Sequence, residues 1–209
     1  IDAGGTKLLG GVVDEDLVVH HRVHRLWRGA DRQETLDIFI EAVDEVRSAA
    51  PDVEAIGFGI PCLVEWETGV SHWSNHLPLA GVPFRDLMSE RLGLPVVVDN
   101  DANMALLAEH RSGAARDARH AALVALGTGI GSGLLLDGRI YRGATGVGAE
   151  LGHIVLDLHG PDCPSNCPGR GCLEAFVSGN AIGREGARLA RERPDTVLGR
   201  RLVAGREIT

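Results

Sequence analysis

Twice in this chain a run of apolar residues breaks on a cluster of glycines and at once resumes as a second apolar run. The first break is Asp2-Ala3-Gly4-Gly5-Thr6-Lys7, followed by Leu8 to Val13. The second is Gly127-Thr128-Gly129-Ile130-Gly131-Ser132-Gly133, set between Ala121–Leu126 and Leu134–Leu136. A glycine turn joining two strands predicts a β-hairpin, and its recurrence is a weak internal repeat that predicts two lobes. It argues against a simple dinucleotide-binding unit, whose glycine loop leads from strand into helix.

Each turn lines up backbone N–H groups with no β-carbon in the way, which suits a phosphate. For the first loop alone, a plain hairpin turn is the simpler reading. The second carries four glycines, each of which weakens a strand, so the two together point to phosphate binding. Asp2 stands where a carboxylate can hold water on Mg²⁺, and Thr6 and Lys7 add a hydroxyl and a charge. Lys7 is the chain's one lysine among 21 basic residues, which suits a place where a compact ammonium is needed.

Between these loops, Leu36, Phe39, Ile40, Val43 and Val46 recur at helical spacing and predict an amphipathic helix over 33–49. Strands are expected at 18–23, 53–60 and 94–98, helices at 84–92 and 102–111, and an irregular stretch at 66–83. The small, polar segment 112–118 reads as a joint. The expected organisation is therefore a lobe over 1–112 and the start of a second over 113–209.

Val96-Val97-Val98-Asp99-Asn100-Asp101-Ala102-Asn103 sets polar residues at the end of a buried strand, where open α/β sheets place their ligands. Asn100 or Asp101 is expected to cap the following helix. The remaining polar groups exceed what a cap needs, and a carboxylate here could take a proton from an attacking hydroxyl. Further on, His153, Cys163, Cys167 and Cys172 form a Cys₃His set suited to tetrahedral, structural Zn²⁺. A disulfide would leave one of those three cysteines over and need an oxidising compartment. Such a metal would hold Glu150, His153 and Glu174 near one another, and carboxylates so fixed can accept hydrogen bonds from sugar hydroxyls. Cys62 reads as core or pocket wall.

With Asp2–Lys7, Asp99–Asn103, Leu126–Gly131, Gly148-Ala-Glu-Leu-Gly-His153 and Gly171-Cys-Leu-Glu174 assembled in order, the chain resembles the ROK family of repressors, open reading frames and sugar kinases. The resemblance implies an α/β, two-lobe, actin-like (ribonuclease H-like) ATPase fold with sugar and ATP in the cleft between lobes. Family members are longer than this chain, so the second lobe is expected to be incomplete. By the same resemblance, Asp101 is the general base and Asn100, Glu150, His153 and Glu174 bind the sugar. Asp2, Gly4, Gly5, Thr6 and Lys7, with Gly127, Thr128, Gly129 and Gly131, hold ATP and its Mg²⁺. His153, Cys163, Cys167 and Cys172 ligate structural Zn²⁺. Two motifs depart from the family pattern. The cysteine run has three residues in its first gap and Pro168 for a glycine, and the turn near the sugar reads Gly59-Ile-Pro61-Cys62.

The reaction so implied is transfer of the γ-phosphate of ATP to a hexose hydroxyl, most simply glucose to glucose 6-phosphate, with polyphosphate left open as donor. The alternative is the sugar-sensing domain of a ROK-type transcriptional repressor; the intact Asp2–Lys7 loop favours the enzyme. The net charge of −8 is wrong for holding nucleic acid or an anionic membrane by bulk charge. No apolar run reaches the roughly 18 residues of a membrane span, and Ile1–Gly10 lacks a secretory layout. The expectation is a soluble, cytoplasmic chain, a homo-oligomer by family habit, whose partners are small molecules.

Overall fold

Five strands carry the first half of the fold: β1 (Asp2–Ala3), β2 (Lys7–Val13), β3 (Val19–Leu26), β4 (Ile56–Ile60) and β7 (Val96–Asn100). In the computed structural model, which describes residues 1–4, 7–26, 29, 31–74, 77–165 and 167–203, their order is β3-β2-β1-β4-β7. The first three run antiparallel, and β1, β4 and β7 are parallel. This is the sheet of the ribonuclease H-like, actin-like fold expected from the sequence.

Alternation along β4 sets the two faces of the sheet. Phe58 points to one side, where its ring meets Phe39 and Phe84 with centroids 5.8 and 5.2 Å apart. Phe39 belongs to α1 (Arg32–Ala49) and Phe84 to α2 (Phe84–Leu92). Three fully buried rings in tilted and edge-on pairs anchor this core, each pair adding about 0.5–1.5 kcal/mol beyond area burial. Gly59 points to the other face, where a β-carbon would lie 3.4 Å from Met104 of α3 (Asp101–Ser112). Asp31 caps α1 by accepting the Glu34 N–H at 2.9 Å, and Gly93 ends α2 at φ 66°.

Two expectations change. The stretch expected to be irregular, 66–83, contains β6 (Val70–Trp73), which forms a hairpin with β5 (Leu63–Glu65) just before it; strands this short, with Gly69 and Thr68 at the turn, leave no alternating pattern to read. The second glycine loop is also shorter than expected. After β8 (Ala121–Leu126), β9 already begins at Ile130 and runs to Leu136, followed by β10 (Arg139–Ile140). Strand β9 accommodates Gly133 because a β-carbon there would lie 3.1 Å from the Ala102 carbonyl; close approach to α3 requires glycine.

The chain divides into two compact units, Ile1–Leu123 with Gly133–Ala149, and Val124–Ser132 with Glu150–Thr209. The end of β9, β10 and the loop to Ala149 lie with the first unit. That loop is tied there by an ion pair from Arg142 to Asp99. In the second unit, a 3₁₀ turn (Leu151–His153) precedes α4 (Leu173–Val177), α5 (Gly179–Glu192) and α6 (Val197–Val203). No helix among the described residues is long and apolar enough to cross a membrane.

Candidate functional site

In the first unit, the polar cluster forms where β7 hands over to α3. Asn100 is the cap: its Oδ1 accepts the Ala102 and Asn103 N–H groups at 3.0 and 3.3 Å, and its Nδ2 donates to the Cys62 carbonyl at 3.3 Å. Asp101, half-buried, accepts the Ala102 N–H at 2.9 Å through Oδ1. Asp99 is buried, and its Oδ1 accepts the Asn100 N–H at 2.8 Å and Asn103 Nδ2 at 3.2 Å. The Cys62 thiol lies in the wall behind this turn. Burial, with the Asp101 charge adding to it, pushes that thiol up to about 11 despite hydrogen bonds to Ser71 and Ser74.

The first glycine turn closes with Gly4 N–H on the Lys7 carbonyl at 2.8 Å. Asp2 lies on β1 beside it, and Lys7 opens β2 with its side chain exposed. Gly5 and Thr6 lie outside the described residues.

In the second unit, the other glycine turn is closed by the Gly127 N–H on the Gly129 carbonyl at 3.0 Å. A β-carbon on Gly127 would meet nothing within 4 Å, whereas one on Gly129 would lie 2.5 Å from Glu174 Oε2. The turn therefore presents bare backbone on one side and abuts a carboxylate on the other. Thr128 sits between them, and Gly131 belongs to β9 rather than to the turn.

Glu174 is buried at the start of α4. Its Oε2 accepts the Ile130 N–H at 2.7 Å, and its Oε1 accepts the Ser165 hydroxyl. Glu150 is exposed, and its Oε2 lies 3.9 Å from His153 Nε2.

The cysteines and histidine of the expected metal set do come together: His153, Cys163, Cys167 and Cys172 offer ligand atoms all within 4.8 Å of one another. His153 Nδ1 lies 3.6 Å from Cys163 Sγ. A tetrahedral Zn²⁺ with bonds of about 2.0–2.3 Å would set ligand atoms about 3.5–3.8 Å apart. The longer first gap is therefore no obstacle to Cys163. The loop is built for sulfur. The Gly169 N–H points at Cys167 Sγ at 3.3 Å, and the Cys163 N–H donates to the Gly169 carbonyl at 3.1 Å. Gly171, at φ 64°, fits only as glycine, because a β-carbon would strike the Asp157 carbonyl. Desolvation, reinforced by the charges of Cys172 and Cys167, pushes the Cys163 thiol up to about 12. Three cysteines this close could be thiolates together only with a cation among them, so the donor set fits a thiophilic divalent metal.

Sequence reasoning missed Arg142, whose guanidinium donates to Asp99, and Ser165, which binds Glu174. Neither belongs to a catalytic motif. The signal present was position, since Arg142 opens the glycine-studded run before Glu150 and Ser165 stands inside the cysteine loop.

The profile of the ROK family matches residues 1–204. A glucokinase from Thermotoga maritima is 37% identical over 187 residues, 88% of this chain and 58% of the relative. A xylose repressor from Caldicellulosiruptor bescii is 30% identical over 158 residues, 74% of this chain and 39% of the repressor. Among solved structures, a ROK family glucokinase from Streptomyces griseus in complex with glucose and AMPPNP superposes with a TM-score of 0.84 at 33% identity, covering 93% of this chain and 61% of that one. The chain thus spans about three-fifths of the length of the glucokinases it matches.

Proposed function

Because the chain belongs to the ROK family, we propose that it is the larger part of an ATP-dependent sugar kinase acting on a hexose, with glucose the first substrate to try and the cytoplasm its place of action. The observation that carries this reading is the turn at Asn100–Asp101. A carboxylate sits at the carboxyl end of a parallel strand, beside a side-chain amide pinned by three hydrogen bonds.

In the reaction, the hexose hydroxyl gives its proton to the Asp101 carboxylate as its oxygen bonds to the γ-phosphorus. The bond from that phosphorus to the β–γ bridging oxygen breaks, and ADP leaves with the electron pair. Asp101 supplies proton acceptance, a role worth about 10²–10⁴ in rate. Asn100 cannot swing, because both ends of its amide are engaged, and it presents its remaining Nδ2 hydrogen to the sugar. Glu150 and Glu174 accept sugar hydroxyls.

His153 works through its two nitrogens. With Nδ1 turned to the cysteines and ligating a metal, the ring would carry its proton on Nε2, on the side of Glu150, where it could donate to a sugar oxygen. Zn²⁺ fits the Cys₃His set and would fix this tautomer. The backbone of the Gly4–Lys7 and Gly127–Gly131 segments receives phosphate oxygens, with Lys7 adding charge. Asp2 would hold the Mg²⁺ carried with ATP, and that ion would supply charge neutralisation at the transferred phosphate.

The sugar-sensing domain of a repressor is the second reading, supported by the similarity to the xylose repressor. One experiment separates them: the intact gene product with MgATP and a hexose panel, with Asp101→Asn as control. Turnover lost in the control supports the kinase. Tight sugar binding without turnover on any hexose would replace the kinase with the sensor.

A further inference from the structure

We propose that Arg142 is a positioning residue for the catalytic turn: by neutralising buried Asp99 it holds the Asp99–Asn103 segment in the shape in which Asn100 and Asp101 act. This deepens the kinase reading and rests on it in taking Asp101 as the base.

Asp99 is 1% exposed, and a carboxylate taken so far from water stays charged only if its oxygens are fully engaged. They are. Arg142 Nε and a terminal nitrogen donate to Oδ2 at 2.8 and 2.7 Å. The Asn100 N–H and Asn103 Nδ2 donate to Oδ1 at 2.8 and 3.2 Å. One carboxylate therefore grips the chain on both sides of Asp101. Without the guanidinium, Asp99 Oδ2 loses both of its donors inside a buried site, and the carboxylate is no longer held in place to grip Asn100 and Asn103.

Arg142 is itself held from three sides. Its guanidinium carbon lies 3.9 Å from the centroid of the Trp66 ring, an arrangement in which a planar cation is attracted to the indole face. Its carbonyl accepts the Gly148 N–H at 2.9 Å. Gly143 and Gly146, at φ 69° and 83°, bend the loop so closely that a β-carbon at either would meet the backbone of Gly148 or of Val64. A loop folded back on itself and seated on β5 keeps the fork aimed at Asp99. Lysine cannot substitute, since an ammonium lacks both the planar fork and the stacking face.

A purely structural ion pair would affect stability and leave the reaction alone, so the test separates kcat from KM and stability. In the intact gene product, Arg142→Gln is expected to lower kcat about 10–100-fold, the scale for a displacement near 1 Å. The hexose KM should change less than about threefold. Arg142→Lys should recover only a minor part of the loss. The double variant Asp99→Asn/Arg142→Gln removes both charges and keeps an acceptor for Asn100 and Asn103. It should regain most of the kcat, and it remains informative if Arg142→Gln folds poorly. Hydrogen exchange of the peptide spanning Asp99–Asn103 should speed up in Arg142→Gln and return toward wild type in the double variant. A kcat within about twofold of wild type in Arg142→Gln, or no recovery in the double variant, overturns the proposal. If wild type phosphorylates no hexose, the kinase reading fails by itself, and the exchange data alone then decide whether Arg142 holds the turn.

Discussion

Glu174 accepts the backbone N–H of Ile130 at 2.7 Å, so the carboxylate expected to grip the sugar also fixes the end of the second glycine turn. Its other oxygen takes the Ser165 hydroxyl from within the cysteine loop. One buried side chain thus joins a segment expected to meet phosphate with the loop that can hold metal. Glu174→Gln keeps the volume and one acceptor but loses the charge. Hydrogen bonds to a charged group are worth about 1.5–3 kcal/mol, so the hexose KM should rise roughly tenfold or more while the far-ultraviolet spectrum stays unchanged. Steady-state kinetics across the hexose panel would check this.

Asp101→Asn should lower kcat by about 10²–10⁴, the range for removing a general base. The hexose Kd by calorimetry should stay near wild type, because the amide still accepts the Ala102 N–H that the carboxylate accepts at 2.9 Å. Retention of wild-type kcat would remove Asp101 from the mechanism.

Metal content should be one zinc per chain by elemental analysis. Chelation is expected to lower the melting temperature by roughly 5–15 °C, since binding to a site assembled only in the folded state is folding free energy. A metal-free preparation of unchanged stability would contradict the Cys₃His assignment.

Thiol counting gives an independent reading of the same centre. With metal bound, an aromatic disulfide reagent at pH 8 should find no fast-reacting cysteine. After chelation, Cys163, Cys167 and Cys172 should react. Cys62 should wait for denaturant, because it is 2% exposed within the hydrophobic core of the first unit, where the reagent cannot reach it. A fourth thiol reacting along with the three would show that Cys62 is not sealed.

Two glycines offer a contrast. Gly127→Ala adds a methyl group to open space, so stability should hold within about 0.5 kcal/mol. The ATP KM should rise if a phosphate must come close to that backbone. Gly171→Ala strains a residue at φ 64° and strikes the Asp157 carbonyl, so it should destabilise by about 1–3 kcal/mol or more and weaken metal retention. Thermal melts with nucleotide titrations distinguish the two effects.

The residues alone determined whatever is local. Apolar spacing marked α1, the glycine clusters marked both turns, and cysteines close in sequence marked the loop that can hold metal, because each follows from the period of a helix or strand or from the reach of one loop. The β5–β6 hairpin was illegible, since three or four residues on each side give no period to detect. The grouping of β10 and its following loop with the first unit was also illegible, because no local pattern records a long-range contact. Only the tertiary structure paired Arg142 with Asp99, 43 residues away, and Glu174 with Ile130, 44 away. A sequence shows that an arginine and an aspartate exist; which carboxylate a guanidinium meets depends on the order of strands in the sheet and the bend of a glycine loop. The role proposed for Asp101 therefore rests on its motif, while the ion pair at neighbouring Asp99 was decided by the fold, because desolvation makes a buried carboxylate depend on a partner that only packing can deliver.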